Sequence, residues 1–290
     1  MYLAPAEKQR EERTGLKDRP LQQQYAELTA AYNPAMRKRV RAGTTREGDS
    51  RKVGLERALS KMGYCSRAQA AELIRTGRVR LNGSSPRNPE TPVRLGVDHI
   101  EVDGRRVAIP TKTYLIMNKP HGVVTTASDE KDRRTVYDLL GSGLRWIAPV
   151  GRLDKASEGL LLFTNDSEWA ARVLAPETHV DKTYHVQIGT VADIALLEKL
   201  QHGVRTKEGD FLRLKRAGIL REGKRNCWLE IVLDEGKNRH IRRMFESLGI
   251  EVLRLVRVAI GPLALGDLPK GAPRELTPAE KAMIDEAMNG

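Results

Sequence analysis

The chain has 290 residues, with 50 Lys and Arg against 38 Asp and Glu, so its formal net charge is +12. Its 40% hydrophobic content and its length predict a globular protein of about two domains. No apolar run approaches the ~18 residues that a membrane span requires, and the charged N-terminus lacks the apolar region of a secretory signal. Two cysteines, Cys65 and Cys227, form neither a disulfide framework nor a metal cluster. These features favour a cytoplasmic protein.

The positive charge bears on the kind of partner. Its cations are spread along the whole chain, which suits an extended phosphate-bearing partner better than a membrane surface, where one basic amphipathic helix is expected. Aromatic residues make up only 4% of the chain, which argues against a single-strand binder built on many stacking platforms. Nucleic acid is therefore favoured over an incidental excess of charge.

The first elements along the chain form a small basic module. Residues 1–52 are polar and charged and predict a mostly disordered basic tail. Leu55, Ala58, Leu59 and Met62 recur at helical spacing, and Gly63 ends that helix.

A second helix and a strand follow. Ser66 is placed to cap the second helix, which Arg67 opens and Gly77 ends. Residues 78–83 alternate polar and apolar side chains up to an Asn-Gly turn and predict a strand, and residues 93–95 and 99–102 complete a small β element.

The segment GYCSRAQAAELIRTGRVRLNG, followed by DHIEVDG, resembles the S-four-type RNA-binding domain. The resemblance assigns residues 53–107 to that domain and implies docking on folded RNA. Ser66 and Arg67 lie at a helix N-terminus, where phosphate binds readily. The RNA-binding residues that we predict in this domain are Lys61, Ser66, Arg67, Arg75, Arg78 and Arg80.

The second domain follows a linker at residues 108–112 and extends over residues 113–276, with residues 277–290 as a C-terminal tail. Strands are predicted at 114–117, 159–164, 182–188, 212–220, 226–233 and 252–260, and helices at 135–140, 168–174, 191–201 and 238–248. This order favours an α+β domain with a mixed, largely antiparallel sheet flanked by helices. No phosphate-binding glycine motif follows a strand.

The segment VGRLDKASEGLLLFTND places Arg152 and Asp154 in a short loop before an apolar strand. A carboxylate flanked by cations stays ionised and can act as a nucleophile or a base. Most Arg-x-Asp pairs, however, are ion pairs that stabilise turns. The residues alone leave both interpretations open.

That segment resembles the catalytic-aspartate motif of RNA pseudouridine synthases, in the branch that acts on bacterial ribosomal RNA. KTY at residues 182–184 resembles the family's second motif, and EGKNRHIRRMFESLGIEV its third. The resemblance implies Asp154, Tyr184 and Arg242 as catalytic residues. Arg152 would take the place of the flipped base in the stack.

The third motif also contains the residues that flank Arg242 in the sequence. Arg239 and Arg243 are expected to bind RNA or to lie on a solvated helix face. Arg239-His240 stands where family members often carry His-Gln, which weakens a direct active-site role for either residue. Ile241, Phe245 and Leu248 should point inward, so Arg242 should emerge half-buried and form a bidentate pair with Asp154.

The resemblance implies an isomerase that converts uridine to pseudouridine, by breaking the N-glycosidic bond and forming a carbon–carbon bond at the same ribose. Because the product is an isomer, no metal or other cofactor is expected. We predict a monomer whose partner is ribosomal RNA or a pre-ribosomal particle, more specifically large-subunit RNA, with no membrane and no small-molecule substrate. The alternatives are a non-catalytic ribosome-binding or assembly protein and an enzyme of the same fold that acts on tRNA.

Overall fold

A computed structural model describes residues 52–108, 111–127, 129–141 and 146–289. The predicted basic tail at residues 1–52 therefore lies outside the described residues, apart from Lys52. No helix in these ranges combines the length and the apolar character that a membrane span requires.

The N-terminal module consists of two helices and short strands. They are α1 (Leu55–Lys61), α2 (Arg67–Arg75), β1 (Lys52–Gly54), β2 (Val79–Leu81), β3 (Pro92–Arg94), β4 (Ile100–Val102) and β5 (Arg105–Arg106). The Ser66 side chain caps α2 by accepting from the Gln69 backbone N–H, as the sequence predicts. Leu55, Leu59 and Ile74 are fully buried and join the two helices to the strands.

The pairing of these strands differs from the single small β element that the sequence predicts. Strands β2, β4 and β5 form one antiparallel sheet, whereas β3 pairs with β1 in a separate two-stranded sheet. The side chain of Val93 in β3 is nevertheless buried in the same core as that of Ile100 in β4. The apolar pattern therefore places both strands against the core without specifying their partners.

The second domain is built on a mixed sheet. Its strands are β6 (Tyr114–Lys119), β7 (Ala148–Val150), β8 (Glu158–Thr164), β9 (Lys182–Ile188), β10 (Val204–Arg205), β11 (Phe211–Leu212), β12 (Arg216–Glu222), β13 (Cys227–Leu233), β14 (Val252–Ile260), β15 (Leu263–Ala264) and β16 (Pro273–Glu275). The main path runs β12-β13-β9-β14-β8-β6-β16, with β15 beside β14 and β7 beside β8. Among these described strands only β8 and β14 pair in parallel, which confirms a largely antiparallel mixed sheet.

The described α-helices of this domain are α3 (Ser167–Leu174), α4 (Ile194–His202), α5 (His240–Ser247) and α6 (Pro278–Ala287), and the helix predicted at residues 135–140 is a short 3-10 helix, Val136–Leu139. Because side chains alternate along a strand, β8 faces two cores. Leu160 and Leu162 pack with α3 and α6, whereas Leu161 and Phe163 lie on the opposite face. Tyr184 joins this second face to the core beneath α4 and α5.

Helix α6 lies where the sequence suggests only a tail. Thr277 caps it and Pro278 occupies its first turn, both typical of a helix N-terminus. Its Ile284 is fully buried in the core that also holds Trp169 of α3. The second domain therefore extends beyond residue 276.

Candidate active site

The loop between β7 and β8 is held through its backbone carbonyls. Each of the five residues from Leu153 to Ser157 has a carbonyl that accepts a hydrogen bond. The bonds are Thr125 Oγ1 to Leu153 (2.8 Å), Lys119 Nζ and the Ser157 N–H to Asp154 (3.1 and 3.0 Å), the Gly122 N–H to Lys155 (2.8 Å), Arg242 Nη2 to Ala156 (2.8 Å), and Lys119 Nζ to Ser157 (2.7 Å). We call residues 153–157 the catalytic loop, after the role that the sequence resemblance implies for Asp154. Its backbone is fixed by donors from separate elements, which pre-organises its side chains.

Lys119, the last residue of β6, is completely buried beneath this loop. Its ammonium also donates to the carbonyl of Pro120 at 3.1 Å, so all its hydrogen bonds go to backbone oxygens. Burial lowers the pKa of Lys119 to about 8, although the charges of Asp154 and Glu158 oppose the shift. The residue thus brings a buried positive charge to the base of the loop. Sequence reasoning missed it, and the only signal was a lysine directly after an apolar strand.

Arg242 reaches the same loop from α5. The helix buries Ile241 and Phe245, and Arg242 is half-buried beside them, as the helical spacing predicts. Its guanidinium donates to the carbonyls of Ala156 at 2.8 Å and Val252 at 3.3 Å. Burial lowers the pKa of Arg242, and the nearby charge of Asp154 acts against that shift.

The bidentate pair that we expected between Arg242 and Asp154 does not form in this structure. Arg242 instead ties the backbone of the catalytic loop to the start of β14. Its charge therefore acts on Asp154 through space, while its hydrogen bonds fix the position of the loop.

The Asp154 side chain is half-buried, and no side chain within the described ranges donates to its carboxylate. Arg152, two residues earlier, is exposed and makes no ion pair with any described residue. Both side chains are consequently available to a ligand while the backbone between them is fixed. This arrangement differs from the alternative that Arg152 and Asp154 form an ion pair that stabilises a turn.

Tyr184 lies in β9, directly opposite Ile231 of β13 and Arg257 of β14. Its ring is half-buried and packs against the core that includes Leu153 of the catalytic loop. Tyr184 thus shares an apolar core with Leu153, and Arg242 bonds the carbonyl of Ala156 in the same loop as Asp154. Phenol, carboxylate and guanidinium together can support a planar base, attack carbon and move protons.

Arg257 marks the place where β14 and β8 come together. It is buried, and its Nε donates to the carbonyl of Leu160 at 2.7 Å. Opposite it, Gly159 has φ +104°, and a Cβ there would lie 2.2 Å from the Arg257 carbonyl oxygen. Only glycine fits this approach. The strand that follows the catalytic loop is thus set directly against β14.

The cations predicted to bind RNA in the N-terminal module fall into two groups. Arg67, Arg75 and Arg80 are exposed and make no ion pair with described residues. Arg78 instead forms a bidentate ion pair with Asp103 (2.8 and 2.6 Å). Lys61 bonds Glu168 at 3.3 Å, and Ser66 is engaged as the cap of α2. The free cations of this set are therefore the three exposed arginines.

The two arginines that flank Arg242 also differ from one another. Arg239 is exposed, adopts φ +48° and precedes the first turn of α5. Arg243 binds Asp210, Glu208 and Thr206, and its side chain is only 18% exposed. The expectation that Arg243 lies on a solvated helix face is wrong in this structure, because the β10–β11 hairpin supplies carboxylates that the helical pattern does not reveal. Binding of RNA by Arg243 stays a prediction.

Metal ligands do not converge anywhere in the described parts of the chain: no three His, Cys, Asp or Glu side chains gather there in a way that could hold an ion.

The fold is that of an RNA pseudouridylate synthase. The model of that family matches residues 113–247, and the S4 domain model matches residues 53–99. A solved structure described as a pseudouridylate synthase has a TM-score of 0.56 and 27% identity, covering 80% of this chain and 99% of its own. The chain belongs to this family and carries an S4 domain.

The names of individual relatives state a more specific activity than the family name does. Ribosomal large subunit pseudouridine synthase B of Bacillus subtilis (strain 168) is 37% identical over 241 residues, covering 81% of this chain and 98% of its own. The protein of the same name from Escherichia coli O157:H7 is 38% identical over 229 residues, covering 76% and 77%. Both relatives therefore align with the S4 domain and the synthase domain together.

Proposed function

We propose that this protein isomerises uridine to pseudouridine in ribosomal RNA of the large subunit, as a monomer in the cytoplasm. The observation that carries the proposal is the catalytic loop, in which every backbone carbonyl accepts a hydrogen bond while no side chain of the described residues donates to the Asp154 carboxylate. The names of its relatives supply the substrate class.

In this proposal Asp154 attacks the target nucleotide, or removes a ribose proton, while the bond from N1 of uracil to the ribose breaks. The base then turns over and bonds the same ribose carbon through C5, as the bond to Asp154 breaks or, in the second case, the removed ribose proton returns. C5 loses its proton and N1 gains one, so atoms and charge balance without an oxidant or a metal. Lys119 and Arg242 supply positive charge beside the Asp154 carboxylate.

The target base must first leave its stack. Arg152 is exposed beside the loop, and its planar guanidinium can occupy the vacated position. Tyr184 supports the flipped uracil on its ring. The S4 domain holds the surrounding RNA through Arg67, Arg75 and Arg80, whose guanidinium groups are free for phosphate.

The test compares wild type with Asp154→Asn on ribosomal RNA labelled with tritium at C5 of uridine, extracted from cells lacking the gene. Wild type should release tritium, and Asp154→Asn should bind the RNA without releasing it, because the amide keeps the shape but removes the nucleophile. Asp132→Asn is the matched control, since Asp132 is exposed and has φ +51°, which asparagine tolerates.

Conversion by Asp154→Asn would refute the role of Asp154. Binding by the wild type without any conversion would instead favour the non-catalytic ribosome-binding alternative. Conversion confined to tRNA would refute the substrate class.

A further inference from the structure

A cavity of about 380 Å³ lies beside the segment that leads into α5, within the ~300–1,000 Å³ range of ligand sites. Its lining includes His179, Phe211, Arg213, Asp234, Glu235 and Lys237. None of these residues has a role in the proposed chemistry. The segment from Asp234 to Arg239 runs from this cavity directly to the helix that carries Arg242.

Phe211 provides an aromatic platform in this cavity. It is 53% exposed, on the short hairpin of β10 and β11, where it pairs with Arg205. The ring is nevertheless fixed, because it packs against Gly203, where φ is +110° and a Cβ would lie 2.3 Å from the ring Cζ. The glycine therefore admits the ring against the backbone. An exposed and positioned aromatic ring is what an unpaired base stacks on.

Cations surround this platform. Arg213 is exposed and makes no ion pair within the described chain. Lys237 bonds Glu235 at 2.9 Å and remains 47% exposed, and His179 lies on the same lining. A phosphate next to a stacked base would find Arg213 unpaired and able to bind it with two N–H groups.

The carboxylates restrict the kind of base. Asp234 forms no ion pair with any residue that the structure describes, and it lies near enough to Lys182 and His240 to interact with their charges. A carboxylate accepts hydrogen bonds from exocyclic amino groups but repels carbonyl oxygens and phosphates. Uracil carries no amino group, and its N3–H lies between two carbonyl oxygens that a carboxylate repels, so a base with an amino group suits the cavity better than a second uracil.

We propose that this cavity binds one unpaired nucleotide flanking the target uridine, with a base that carries an amino group. The base stacks on Phe211, its amino group donates to Asp234, and its phosphate binds Arg213. The inference rests on the proposed function, because it takes the ligand to be part of the same RNA substrate.

Phe211→Ala should weaken binding of the extracted ribosomal RNA about tenfold, since stacking on an aromatic side chain is worth roughly 1–3 kcal/mol per base. Phe211→Tyr should retain the wild-type affinity. Arg213→Ala should weaken binding and reduce the slope of log affinity against log salt by about one. Leu220→Ala is the control, because Leu220 is an exposed apolar residue (42%) of β12 outside the cavity.

Ultraviolet cross-linking of the wild-type complex, followed by mass spectrometry, should place an adenine, guanine or cytosine adduct on the peptide that contains Phe211. The proposal is overturned if Phe211→Ala and Arg213→Ala bind like Leu220→Ala, or if the adduct is uracil or absent.

Because these measurements report binding, they test the cavity even if the wild type converts no uridine. If the wild type converts no uridine but its RNA binding still depends on Phe211, the proposed function is refuted and the proposal for the cavity stands. Thermal unfolding of each variant shows whether it is folded. If Phe211→Ala does not fold, the test rests on Arg213→Ala, which changes an exposed side chain.

Discussion

Lys119→Met should destabilise the protein and slow the reaction, because the buried ammonium is the shared donor beneath the catalytic loop. Removal of the ammonium leaves the carbonyls of Pro120 and Ser157 without this donor. The carbonyl of Asp154 still accepts a hydrogen bond from the Ser157 N–H. A buried carbonyl without a partner costs about 1–3 kcal/mol. We therefore expect the free energy of unfolding to fall by about 3 kcal/mol at pH 7 and kcat to fall at least tenfold.

The pH dependence gives a sharper measure. Burial holds the pKa of Lys119 near 8 in the folded protein, below the ~10.4 expected when unfolded. Between these values the unfolded chain binds more protons, so this residue makes the free energy of unfolding rise with pH. At about 1.4 kcal/mol per pKa unit, the wild type should gain roughly 2 kcal/mol relative to Lys119→Met between pH 7.5 and 9.5.

Activity should change in the opposite direction. Above pH 8 the ammonium loses its charge and one of its donors, so kcat of the wild type should fall, while that of Lys119→Met should be low and nearly constant. Denaturant unfolding of both proteins at each pH, with single-turnover rates, provides the assay, and the comparison cancels other titrating groups. A stability difference that does not change with pH, or normal turnover by Lys119→Met, would refute the reasoning.

Arg242→Lys should retain RNA affinity but lose about tenfold or more in kcat, because lysine cannot bond the carbonyls of Ala156 and Val252 in the same geometry. A kcat equal to that of the wild type would exclude the positioning role of Arg242. The double variant Arg67→Ala, Arg75→Ala should lower the salt slope of RNA binding by up to about two, and an unchanged slope would remove this surface from the interface. Gly159→Ala should reduce the free energy of unfolding by at least about 2 kcal/mol, since its Cβ would lie 2.2 Å from the Arg257 carbonyl oxygen of the neighbouring strand. Denaturant titration measures this change, and a near-neutral value would show that the two strands can separate there.

Regular elements with strong periodicity could be predicted closely from the sequence. The predicted bounds of β9 and β14 agree with the structure at both ends. The single long strand expected at residues 212–220 is less accurate, because the strand is interrupted at residues 213–215. The part before the interruption, β11, pairs with β10, and the part after it, β12, pairs with β13. Local alternation does not reveal such a change of partner.

The site could be predicted in its residues but not in its contacts. Helical spacing correctly makes Arg242 half-buried, yet its hydrogen-bond partners lie 86 and 10 residues away in the chain and depend on the folded loop. Lys119 could not be distinguished from an ordinary strand-ending lysine, because its acceptors are backbone atoms that leave no trace in side-chain patterns.

The catalytic loop is held almost entirely by its own carbonyl oxygens, which every amino acid possesses. Its shape is therefore encoded outside the loop, in Lys119, Thr125, Gly122 and Arg242. The side chains of Lys155 and Ala156 are exposed, so we expect substitutions at these two positions to leave that shape in place. A lineage could retune its contacts with RNA there while the aspartate stays in place.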